Sequence, residues 1–220
     1  MRYQLMTAAI LAVLTSGCAQ PQEIVRVNEI ERVGDVRQVA AEPAAQTRTI
    51  AYQLPGGRSG GPAPRVTVLR GPSCRIGSQG VARTAAFAVT DQDYANVFQD
   101  ELRRVGYQAL DAVTAGARDV RAEFVIAATM ASVRMNVCLP AADLGDVYGG
   151  KGEASMTVRF EVHASARRSM VYATTQAGYA KLDDVTDAAA RELLRAAFAR
   201  AVHGLLADEG FRALLRTPAR

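Results

Sequence analysis

The chain has 220 residues, with 26 Lys or Arg against 22 Asp or Glu, three cysteines and no tryptophan. That length holds one sizeable core plus an extension. The net charge of +4 comes without a basic cluster interleaved with aromatics, which argues against a nucleic-acid surface. Only Lys151 and Lys181 are lysine, so nearly all of the positive charge is carried by arginine.

Met1-Arg2 gives a positive start, and residues 5–14, "LMTAAILAVL", are apolar apart from Thr7. A membrane-spanning helix needs roughly 20 apolar residues, so this shorter run has the dimensions of a secretory signal peptide over residues 1–17. The following "LTSGC" resembles the lipobox of bacterial lipoproteins, with Thr15 where leucine is usual. The resemblance implies cleavage after Ser16-Gly17 and a diacylglycerol on Cys18. More than one acyl chain gives stable anchoring. With Ala19 rather than Asp after the cysteine, the resemblance to enteric lipoproteins implies the periplasmic face of the outer membrane.

Residues 18–64 read as a tether. Three hexads, "EIVRVN", "EIERVG" and "DVRQVA", fill residues 23–40 and place Ile24, Val27, Ile30, Val33, Val36 and Val39 at every third position. An α-helix turns 100° per residue, so that stripe would wind around it rather than face one side. An extended spacer is expected, with a plain linker that has no partner favoured over one that adds a strand to a sheet edge. "AEPAAQ" and "LPGGRSGGPAP" punctuate the segment, with a short strand at residues 49–54 between them.

The folded domain is expected over residues 65–220. "RVTVLR" reads as a strand. Thr90 or Asp91 caps a helix to about Val105, with Tyr94, Val97, Phe98, Leu102 and Val105 on one face and Gly106 as C-cap. "YQAL" is a short strand. Residues 123–139 form a long strand with a bulge near Ala131. Residues 152–163 alternate, with Ala154, Met156, Val158, Phe160 and Val162 facing one side. "ASARRS" turns the chain into "MVYATTQAGYA" as hairpin partner. A helix from about Asp184 to Leu206 buries Leu194, Ala197, Phe198, Ala201 and Leu205, and a last short helix carries Phe211, Leu214 and Leu215.

This order predicts an α+β fold, an antiparallel-rich sheet with helices mainly on one face. "RVTVLR", the helix into "RVGYQAL", "EFVIAATMASV", "GEASMTVRFEV" with its return strand, and the Ala/Leu-rich last helix resemble a domain of periplasmic lipoproteins. That group includes the curli secretion channel subunit and the activators of penicillin-binding proteins. The resemblance implies envelope binding and assembly rather than catalysis, with an envelope protein as partner and no cofactor. The rival expectations are a lipid or small-molecule carrier and, behind it, a periplasmic hydrolase.

Several short motifs imitate catalytic ones. "GRSGGP", residues 57–62, is close to the nucleophile segment of trypsin-like proteases, but Arg58 replaces the aspartate and both histidines follow Ser59. "GDVYGGKG", residues 145–152, is close to a phosphate-binding loop, but Gly152 stands where a hydroxyl residue must hold magnesium; a mobile loop is expected. Cys74, Cys138, His163 and His203 lack the pair spacing of a zinc site, and both histidines are expected in solvent. Asp183-Asp184 are expected to cap the following helix. With Cys18 acylated, Cys74 and Cys138 remain as thiols in an oxidising compartment and are expected to form a disulfide if their strands are neighbours.

Overall fold

The computed structural model describes residues 30–34, 36–54, 65–70, 89–114, 121–139, 150–185 and 189–216. Cys18, Cys74, the "GRSGGP" segment and residues 145–149 lie outside the described residues.

A four-residue helix, α1 (Pro43–Gln46), leads into β1 (Thr49–Leu54) and β2 (Arg65–Arg70). Helix α2 (Asp91–Val105) follows, then the short strands β3 (Gln108–Ala109) and β4 (Val113–Thr114). Three long strands come next, β5 (Phe124–Leu139), β6 (Gly150–Ala164) and β7 (Ser169–Val185), and the chain closes with α3 (Ala189–Ala207) and α4 (Glu209–Arg216).

The strands form one sheet in the order β3-β1-β5-β6-β7, with β2 also on β5 and β4 also on β1. The fold is α+β as expected, but the sheet is mixed. β5, β6 and β7 run antiparallel to their neighbours, whereas β1 and β2 are parallel to β5. The reason is the helix between them: a strand, a helix and a return to the same sheet gives a parallel pair. β1 pairs with the first part of β5 (Ile50 opposite Phe124) and β2 with its last part (Leu69 opposite Cys138), so both occupy one flank of a single long strand.

The expected domain boundary at Arg65 is corrected. β1 sits inside the sheet, Ile50 and Tyr52 are fully buried, and Ala41 and Ala45 enter the same core. Ala41 N–H also donates to the Val105 carbonyl (2.7 Å), so the folded unit begins by residue 41.

Helix α2 starts where the sequence predicts. Thr90 Oγ1 accepts from Asp93 N–H (3.1 Å), and Asp93 Oδ2 accepts from Thr90 N–H (3.0 Å), a reciprocal box that satisfies two free donors. Gly106, in the left-handed region (φ 102°), closes the helix by donating to Leu102 and Arg103. The Thr90 hydrogen bonds hold the Asp93 carboxyl below its ordinary value of 3.8. A depressed acid contributes stability above its unfolded pKa and loses it as the pH falls through the folded one. Thr90→Ala should therefore cost about 1 kcal/mol at neutral pH, read by urea denaturation. The difference from wild type should shrink as the pH drops below about 4.

On β6, Ala154, Met156, Val158, Phe160 and Val162 all face the helices and are essentially inaccessible, as the alternation predicts. The β5 bulge falls between Met130 and Ser132, as expected. Opposite these strands lie Phe98 and Leu102 of α2, Leu194, Ala197, Phe198, Ala201 and Leu205 of α3, and Phe211 and Leu215 of α4. Asp208 caps α4, accepting from Gly210 and Phe211 N–H and from the Tyr172 hydroxyl. Arg212 and Arg216 both pair with Glu42 (2.6 and 3.0 Å), tying the last helix to α1.

Candidate binding surfaces

The described residues 30–34 and 36–40 fall in the second and third hexads and have no regular secondary structure. Ile30, Val33, Val36 and Val39 are half-buried while the residues described between them are exposed. Three residues per turn is the period of an extended polyproline-type chain, and it explains why the stripe did not fit a helix. The segment is a strap laid on the domain, not a free spacer. Arg32 pairs with Glu153 of β6 (3.4 Å), and Gln38 Nε2 lies 3.4 Å from Glu101 of α2 and 3.0 Å from His203 Nε2 of α3.

Under Gln38 is a buried histidine–carboxylate contact that the sequence did not reveal. His203 and Glu101 are each 4% exposed, and His203 Nε2 is 2.7 Å from Glu101 Oε2. The expectation of a solvated His203 is thus overturned. His203 falls among the buried residues of α3, whose exposed side carries Arg191 and Glu192. It is instead seated against a carboxylate on the neighbouring helix, as a buried polar group must be. Arg104 closes on the other carboxylate oxygen (3.4 Å). His163 does lie on the polar face of β6, half-buried and 3.9 Å from Glu161. The two histidines are on opposite sides of the sheet and share no site.

On the face of the sheet away from the helices, Asn136 and Glu153 are paired residues on β5 and β6, and both are buried. Tyr179 of β7 donates to Glu153 (3.3 Å), and Ser132 to Thr157 (3.0 Å).

Two further expectations change. Gly150–Gly152, expected in a mobile loop, are the first residues of β6. Asp183 and Asp184 lie on β7, which runs on to Val185, and Asp183 pairs with Lys181 (3.1 Å) instead of capping α3. Cys138 is buried near the end of β5, with Leu69 as register partner on β2. The strands that carry the approaches to Cys74 and Cys138 are therefore neighbours.

β7 is the last strand of the sheet order. It is 17 residues long, roughly 55 Å of strand, and no described strand pairs with its outer side. Ala173, Thr175, Lys181 and Asp183 are exposed along it, and Met170 is an exposed large apolar side chain. No helix among the described residues is long and apolar enough to cross a membrane.

No protein-family model matches the chain, and no curated protein matches it. Solved structures do. Protein XCC0632 from Xanthomonas campestris, of the family DUF330, is 14% identical with a TM-score of 0.41, over 78% of this chain and 90% of that one. The PelC dodecamer from Paraburkholderia phytofirmans is 16% identical with a TM-score of 0.39, over 79% and 96%. A neuraminyllactose-binding hemagglutinin homolog from Helicobacter pylori is 8% identical with a TM-score of 0.39, over 86% and 94%. At these levels the likenesses carry no inference about what this chain does.

Proposed function

We propose that the chain is a non-enzymatic envelope lipoprotein, acylated at Cys18 and facing the periplasm from the outer membrane, whose domain binds a partner protein in an envelope assembly. The observation that carries the binding role is the long outer side of β7. An edge strand presents a row of backbone donors and acceptors, and a partner strand that adds to it gains main-chain hydrogen bonds along its length. A hydrolase reading would need a nucleophile on the buried histidine, but His203 meets Glu101 and Gln38.

Photo-crosslinking in intact cells tests the binding role. A photoreactive residue at Ala173 or Thr175 on β7 should give one discrete protein adduct, and the same residue at Arg167 in the hairpin turn should not. Adducts that do not depend on position, or none at β7, would overturn the reading.

A Cys74–Cys138 disulfide belongs to the same proposal. Cys74 follows β2 by four residues, and β2 lies beside the end of β5 that holds Cys138. A bridge closing a loop of that length stabilises by about 4 kcal/mol in the chain-entropy account. One measurement reads both cysteine assignments. Membrane-extracted protein, alkylated under denaturing conditions without reduction, should begin at residue 18, carry acyl mass, and take up no alkyl group. Two alkyl groups rule out the bridge, and an unmodified Cys18 rules out the anchor.

A further inference from the structure

We propose that residues 30–40 are a stowed length of tether, which lifts off the folded domain as a unit while the domain stays intact.

Among the described residues of the strap the attachments are few and lie on side chains. The backbone bond nearest the strap, Ala41 N–H to Val105, is at its downstream end, where the core begins. Upstream of it the polar fasteners among the described residues are Arg32, whose side chain is 53% exposed, and Gln38. Arg32 is half exposed, so water can take over its guanidinium when the pair with the buried Glu153 opens. The apolar contact is one half-buried residue in three.

Equally important is what the strap leaves behind. Both carboxylates it touches keep a partner from the domain itself. Glu153 retains the Tyr179 hydroxyl, and Glu101 retains His203 and Arg104. Removing one partner of a buried charge is normally costly because the other is left unpaired. Here release strands neither carboxylate. Segments with few buried apolar contacts and little backbone hydrogen bonding are the ones that open below the global unfolding threshold. Ala41, Ala45 and the Glu42 pairs with Arg212 and Arg216 mark where the opening stops.

Lifting the strap adds about 35 Å of extended chain ahead of residue 41. If Cys18 is the anchor, as proposed above, that length is added to the distance the domain can stand from the membrane. The hexads then work as a two-length spacer, short when docked and long when free.

Electron–electron distance measurement between spin labels at Glu31 and Glu192 tests this on the soluble chain. The labels are attached through an unnatural amino acid, so the cysteines are untouched. No membrane is present, so the result does not depend on acylation of Cys18. The expected distribution has a narrow docked peak and a minor broad component. Arg32→Ala or Gln38→Ala should each raise the broad fraction about fivefold, the effect of losing one modest polar contact, with the melting temperature of the domain unchanged. A single narrow peak that neither substitution alters would overturn the proposal. So would a strap that is lost only as the domain melts, or one that is broad throughout in the wild type.

Discussion

Phe198→Ala should destabilise the domain by about 4 kcal/mol, within the 3–5 kcal/mol that such truncations cost. The ring is fully buried at the centre of an aromatic group contributed by four elements. Its centroid is 4.9 Å from that of Tyr94 on α2, 6.3 Å from Phe160 on β6 and 6.4 Å from Tyr52 on β1. Removing it deletes one contact through which α3 meets both the second helix and the sheet. None of the rigid rings around it can collapse into the space. For a domain of this size the loss corresponds to a fall in melting temperature of roughly 10 °C. Phe198→Leu, which keeps most of the volume, should cost far less. A second readout locates the damage. Burial, with help from Asp91 and Asp93, pushes the Tyr94 hydroxyl up to about 12. In Phe198→Ala the phenolate should appear at lower pH as water reaches the ring, measured by ultraviolet titration of folded protein. A loss below about 1 kcal/mol would mean that α3 is not seated on this group.

Gly178→Ala should be nearly as damaging, about 3 kcal/mol or more, although it adds a single methyl group. On β7 a Cβ at this position would stand 1.9 Å from the Ala197 carbonyl oxygen and 2.6 Å from the Ala201 nitrogen. Those are backbone atoms of α3, and no side-chain rotation relieves the contact, so the helix must move off the sheet. In an open strand the same exchange would be favourable, since glycine loses more freedom on folding. Close approach of helix and strand decides the sign. Gly34→Ala is the control: its Cβ would meet nothing within 4 Å, and it should leave the urea midpoint unchanged or slightly raised. Equal stability of Gly178→Ala and wild type would show that α3 does not lie so close to β7.

Where a structural element is specified by its own residues, the sequence makes it legible. Thr90, Asp93 and Gly106 announce both ends of α2, and the alternation of residues 152–163 assigns the two faces of β6 without outside help. What remained hidden depends on partners far along the chain. Gln38, Glu101 and His203 come from three distant segments, and no local pattern joins them. The period of three in the hexads correctly excluded a helix over the described residues 30–34 and 36–40. It could not say whether the chain was extended in solvent or extended against a surface, because both have the same period. That Ala41, Ala45, Ile50 and Tyr52 are core stayed hidden because a short strand between Pro43 and a Pro/Gly-rich stretch looks like linker. Asp183-Asp184 resembled a helix start because acidic residues also suit the end of an edge strand, where charge discourages unwanted pairing.

The place of β1 and β2 beside β5 has a consequence for the order in which the molecule can assemble. β5, β6 and β7 follow one another directly in the chain, and contacts between residues near in sequence form fastest. β1 cannot begin to pair until β5 exists, and Ile50 meets Phe124 across a gap of 74 residues, the same interval that separates Thr49 from its backbone partner Glu123. At about 5–20 residues per second of synthesis, that is a wait of roughly 4–15 s. Throughout it the strand carrying Ile50, Ala51 and Tyr52, all buried at the end, has no sheet to join. The amino-terminal part of the domain is thus first to be made and among the last to be housed. A holding factor that recognises short apolar strands would find its target in residues 49–54 during that interval, before the long strands close over it.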